Sequence, residues 1–314
     1  MTLAPAIHAI PAVLLIAAGV YALAAARRHV RGTTLVVAWI AAAVAVAGWA
    51  GVALLTPFAP ALPSELFSHL WYGVSVAALC PPVAVLGARR PIDRAWPIFV
   101  VLPLVAVLTG PSLSTLWNHG LDAPLLVETP MLVGYLLVLV MCSGNYLGTR
   151  YTVAALLYAA AVVLVVLPSS SVGRTDWQSV LRFAGTICLA ASLALARLSA
   201  RRTAANIPDY DRLWLHFRDT FGVVWAKRVL ERVNWSAREE HWPAELTFTG
   251  LAWKPGATEQ ERRQTIDRLR HTFGWLLKRF VNDDWIERKS EGRKVEGRKE
   301  VESRKVEGRK VEAD

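Results

Sequence analysis

Apolar residues in the first two thirds of the chain fall in long runs, at residues 3–26, 35–55, 66–88, 95–116, 124–146, 151–167 and 179–198. Each run is about 17–24 residues long, enough for a helix rising about 1.5 Å per residue to cross the hydrocarbon of a bilayer. The pattern predicts seven transmembrane helices. Cys80-Pro81-Pro82 should kink the third, and Pro97 and Pro103 the fourth. Such prolines are tolerated in a membrane where neighbours satisfy the carbonyls they free.

Beyond Ala200 the period changes. Tyr210, Leu213, Trp214, Phe217, Phe221, Val224, Trp225, Val229 and Val233 recur at steps of three and four, which predicts an amphipathic helix of about 27 residues opened by Pro208. Residues 244–253 alternate weakly and predict a short strand or an extended loop. Thr258 and Glu261 have the spacing of a capping box. They open a second amphipathic helix with a stripe of Ile266, Leu269, Phe273, Leu276, Leu277 and Phe280, ended by Asp283-Asp284. Two complementary stripes predict a helical hairpin that buries both, the alternative being helices lying on the inner leaflet.

Residues 287–314 repeat EGRKV-like blocks without an aromatic residue, 10 basic against 8 acidic. They cannot bury a core and are expected to be disordered. The tail resembles a translated genomic repeat, and GRTDWQSV at 173–180 has a similar look. The sequence thus predicts an all-α, polytopic membrane protein in three parts: a seven-helix membrane domain (1–200), a small cytoplasmic domain of two amphipathic helices (201–286), and a charged tail (287–314).

Charge adds orientation. Arg27, Arg28 and Arg31 fill the first connection, Arg89, Arg90 and Arg94 the third, Arg150 the fifth, and Arg197, Arg201 and Arg202 follow the last run. The other loops hold only Arg174. By the positive-inside rule the N-terminus is outside and the C-terminus cytoplasmic, in a multi-pass protein of the plasma (cytoplasmic) membrane. Trp71, Trp96, Trp117 and Trp177 lie near the expected interfaces. ALAAA before Arg27-Arg28 looks like a cleavage site, but no basic residue precedes the apolar run, so the first helix is expected to stay attached.

The 314 residues are 54% hydrophobic, with a mean hydropathy of +0.34 and a net charge of +10. That charge divides equally between residues 1–200 and 201–314, so neither part has the basic surface of a nucleic-acid binder, and no nucleic-acid partner is expected. Lysine is absent from residues 1–200, which excludes a retinal Schiff base. Phosphate-loop, nucleophile-elbow and HExxH motifs are missing, and no nucleophile–base set is visible, so the reading leans away from an enzyme. Cys80, Cys142 and Cys188 sit inside apolar runs and read as small hydrophobes. Asn234-Trp235-Ser236 matches a glycosylation acceptor, but on the side expected to be cytoplasmic.

The remaining chemistry gathers near the expected outer ends of the helices. His8, His69, His119, Glu128 and Arg182 form a candidate outer polar layer, with Glu65 and Asp122 close by in sequence. A charge inside a bundle is costly without a partner, so Glu128 is expected to pair with Arg182 and set helix register. Imidazole and carboxylate are metal ligands, but no two of His8, His69, His119 and Glu128 have i, i+3 or i, i+4 spacing, so neither a metal nor a cofactor is expected. The midplane is mostly Ala, Val and Leu. The expected function is a membrane sensor or scaffold, embedded in lipid, whose residues 206–287 dock a cytoplasmic protein. The alternative is a small-molecule transporter or membrane carrier with a polar site in the outer leaflet.

Overall fold

A computed structural model describes residues 4–56, 64–170, 177–201 and 208–290. The tail beyond residue 290 and the first half of the repeat-like stretch at 173–180 lie outside the described residues. The chain divides into two compact units: Met1–Thr203 with Phe221–Trp225, and Ala204–Thr220 with Ala226–Asp314.

The first unit holds seven apolar helices: α1 (Ala4–Val30), α2 (Val36–Leu55), α3 (Ser64–Leu86), α4 (Leu102–His119), α5 (Thr129–Gly144), α6 (Thr152–Val166) and α7 (Gln178–Arg201). A π-helical turn, Pro97–Val101, leads into α4, and a 3-10 turn, Leu167–Ser169, extends α6. Six of these helices, α4 taken with its π-helical turn and α6 with its 3-10 turn, are long and apolar enough to cross a membrane. The exception is α5. Its 16 residues rise about 24 Å, against a hydrocarbon core of about 30 Å.

The sequence pattern starts this helix at residue 124, but the chain is extended up to Glu128, whose φ of −67° and ψ of 153° are non-helical. Pro130 has no N–H to give and sits in the first turn. The approach instead pairs with the end of α6: Val127 N–H donates to the Ser169 carbonyl at 2.8 Å.

Helix α3 is the centre, packing against α2, α4, α5 and α6, while α1 and α6 flank α7. Of its apolar window 61% is buried, against 11% for α4. Large apolar side chains such as Phe99, Leu102, Val140 and Met141 point outwards from the bundle, as lipid-facing positions would.

Proline chemistry shapes α3. Pro82 cannot donate to the Ala78 carbonyl one turn back, and the Tyr158 hydroxyl of α6 donates to that oxygen instead. The last carbonyls of α3, orphaned as at any helix end, also find donors. Trp96 Nε1 reaches Val83 O at 3.0 Å, and Trp225 Nε1 reaches Val85 O at 3.1 Å. Gly87 is required beside the first of these, because a Cβ there would lie 2.0 Å from the Trp96 ring.

The second unit contains most of α8 (Asp209–Glu239), β1 (Ala244–Thr247), β2 (Gly250–Trp253), α9 (Glu259–Leu277) and α10 (Asp283–Ser290). The stripes of α8 and α9 meet. The Trp214 ring stacks on Phe273 at 6.0 Å and 9°, and Phe217 meets Phe280 edge-on at 5.2 Å. The predicted capping box forms, with Glu261 N–H on Thr258 Oγ1 and Thr258 N–H on Glu261 Oε2.

Residues 244–253, expected to be a short strand or an extended loop, make an antiparallel hairpin with Leu246 opposite Leu251. One feature differs from the sequence reading. Asp283-Asp284 begins α10 rather than ending α9, because Asn282 Oδ1 accepts from Trp285 N–H at 3.1 Å and the acids favour a helix start.

Asn234 clips the hairpin to α8. Its amide donates to Leu246 O and accepts from Leu246 N–H, both at 2.8 Å. The glycosylation-like triplet therefore has its acceptor nitrogen buried in the unit's own hydrogen bonding.

Candidate functional site

The polar layer is best built from α3, whose N-terminal turns carry Glu65, Ser68, His69, Trp71 and Tyr72. Ser68 and Trp71, three apart, share a helix face. His69 is 5% exposed and uses both ring nitrogens: Nδ1 lies 2.8 Å from Ser112 Oγ of α4, and Nε2 lies 3.3 Å from the Ala123 carbonyl. A carbonyl only accepts, so Nε2 carries the proton. In the neutral ring Nδ1 then accepts from the Ser112 hydroxyl. His69 is thus a tie between α3, α4 and the α4–α5 connection, and both nitrogens are taken.

Arg182 lies one turn into α7, with Nη2 donating to Ser68 Oγ at 3.2 Å. The carboxylate whose charge acts on it is Glu65. Glu128, by contrast, is exposed at the start of α5, and its side chain makes no capping bond. Among the described residues neither acid forms an ion pair with Arg182. The expected Glu128–Arg182 pair is replaced by Ser68–Arg182 because α5 starts later than its apolar run suggests. His119 is exposed at the end of α4, and His8 lies within α1, its side chain outside what the structure describes. Of the five expected residues, then, His69 and Arg182 face the interior through separate partners, and Glu128 and His119 stand apart. Among the described residues no three His, Cys, Asp or Glu gather into a metal-binding group.

The structure adds residues that pattern reading passed over. Trp49 of α2 is fully buried, and its Nε1 donates to Thr186 Oγ1 of α7 at 3.0 Å. Its ring meets Trp71 edge-on at 6.1 Å. Thr186 in turn donates to the Arg182 carbonyl at 2.9 Å. Contacts thus run from Ser68 through Arg182, Thr186 and Trp49 to Trp71, and the circuit closes along α3, where Ser68 and Trp71 lie one turn apart, so that it joins α2, α3 and α7. Trp71 read as an interface anchor and Trp49 as part of its apolar run, so the sequence carried no sign of this circuit.

A second arrangement involves Asn145, the C-cap of α5, only 3% exposed. Helix α8 is broken at Gly222, whose φ is 81° and ψ 176°. The break leaves the N–H groups of Val223 and Val224 without helical acceptors. Asn145 supplies them: its carbonyl accepts from Val223 N–H at 2.7 Å and its Oδ1 from Val224 N–H at 3.0 Å. Its Nδ2 donates to Phe221 O at 3.4 Å. A side chain at residue 222 is doubly excluded, by the positive φ and by a Cβ position 2.2 Å from Asn145 Nδ2. Phe221–Trp225 thereby belongs to the first unit, although the chain on both sides of it belongs to the second.

No protein family, characterised protein or solved structure matches the chain.

Proposed function

We propose that the chain is a seven-span protein of the cytoplasmic membrane, N-terminus outside and C-terminus inside, acting as a sensor or scaffold whose second unit docks a protein partner. The arginine-rich connections alternate as this orientation requires. For α5, the buried extended residues Leu125 and Val127 ahead of the helix lengthen the apolar path it offers.

The observation that carries the reading is the cap that Asn145 places on the broken α8. Asn145 caps Val223 and Val224, the segment of α8 that belongs to the first unit while the rest of that helix belongs to the second. The second unit also presents surface of the kind that binding sites use. Trp235 and Trp275 are 46% and 54% exposed, with Arg232 and Arg279 over their rings at 4.1 and 5.2 Å. Tryptophan and arginine are the residue types richest in interface energy.

Affinity capture of the tagged full chain from its own membranes in mild detergent tests this. A protein recovered at near-stoichiometric yield, and lost when Trp235 and Trp275 are both changed to Ala, is the expected result. Recovery of no such partner, together with solute flux through reconstituted vesicles, would replace the proposal with the transporter.

A further inference from the structure

The circuit joining α2, α3 and α7 contains an imbalance. Arg182 Nε and Trp71 Nε1 are buried N–H groups with no hydrogen-bond partner among the described residues, and Trp71 as a whole is 2% exposed. Both groups only donate. The hydroxyls beside them are committed: Ser68 accepts from Arg182, while Thr186 accepts from Trp49 and donates to the Arg182 carbonyl. The same small region holds a guanidinium that donates to a neutral hydroxyl, Ser68 Oγ. A buried donor left without an acceptor is destabilising, and two in one circuit call for an oxygen from outside the chain. The positive charge selects an anionic one.

We propose that this circuit binds an oxyanion, a carboxylate or phosphate, with Arg182 and Trp71 as its donors. Arg182 Nε–H and the adjacent guanidinium edge present the parallel donors that suit such a group. The indole N–H of Trp71 adds a neutral donor fixed in direction by its contact with Trp49. The proposal is independent of any partner of the second unit.

The test uses purified full-length protein in a zwitterionic detergent at constant ionic strength, titrated with inorganic phosphate and with acetate and followed by thermal unfolding. In parallel, the protein in nanodiscs of phosphatidylcholine is compared with nanodiscs containing phosphatidylglycerol. Stabilisation by phosphate or acetate identifies a soluble oxyanion. Stabilisation by phosphatidylglycerol alone identifies a lipid headgroup. In either case Trp71→Phe, which keeps the ring and deletes only the N–H, should weaken binding about tenfold, and Arg182→Lys should weaken it at least as much. Absence of stabilisation by all three probes, or equal stabilisation of native protein and both variants, overturns the proposal.

Discussion

Asn145 caps a helix to which it does not belong. Its side-chain oxygen receives the N–H of Val224 at 3.0 Å and its carbonyl receives that of Val223 at 2.7 Å, the work an N-cap residue normally does from within its own chain segment. Asn145→Ala removes one acceptor and the Phe221 contact while leaving the backbone bond. The loss should be about 1–2 kcal/mol, the range for N-cap removal. Asn145→Asp keeps an acceptor and should cost less. Hydrogen exchange of the Val223 and Val224 amides, faster in Asn145→Ala than in Asn145→Asp, is the check.

Gly222 tests the same junction from the other side. Gly222→Ala meets both a φ of 81° and Asn145, and should cost about 1–3 kcal/mol through backbone strain alone. The double variant with Asn145→Ala should be less than additive, since the same contact is lost twice.

Trp214 and Phe273 stack at 6.0 Å in the middle of the second unit. Phe273→Ala should cost about 3–5 kcal/mol, as large-to-small changes at buried aromatics do. Faster exchange should then spread through α9 and the hairpin, while α1–α7 keep native protection. Uniform loss of protection across both units would contradict this.

Asp211 gives a pH dependence. Burial pushes its carboxyl above the usual 3.8, with the Leu251 N–H bond at 2.7 Å holding it partly back. Between 3.8 and the raised value the folded state binds more proton than the unfolded state, so stability falls as pH rises through that interval and levels off above it. Asp211→Asn keeps the acceptor for Leu251 and removes the charge. Its melting temperature should match the native protein below pH 3.8, then rise relative to it as pH increases. A difference independent of pH would argue against the assignment.

Tyr158→Phe leaves the Ala78 carbonyl, freed by Pro82, without its donor. Hydrogen bonds between membrane helices average about 0.6 kcal/mol, so the protein should remain folded with a small loss. Unfolding in graded denaturing detergent measures it.

What the sequence made legible was local. Unbroken apolar runs read directly as helices, because a lipid-facing helix needs no polar face. Thr258 and Glu261 also read directly, since a capping box is complete within four residues. The Gly222 break did not, because Phe217, Phe221 and Trp225 keep helical step across it and the decision is made by Asn145 in another part of the chain. Arg182 was legible as a charge needing a partner. Its partner was not, because Glu128 sits in an apolar run that the structure leaves extended ahead of Pro130. Trp71 read as an interface anchor and Trp49 did not stand out from its apolar run; Thr186 and an unmatched indole nitrogen give them polar roles.

The clip between Asn234 and Leu246 bears on how the chain's sidedness can be measured. With its amide nitrogen enclosed by the hairpin, Asn234 is out of reach of a glycosylating enzyme in the folded protein whichever compartment it faces. An unmodified Asn234 therefore carries no information about sidedness. An acceptor triplet placed in an exposed connection, such as the stretch around His119, does.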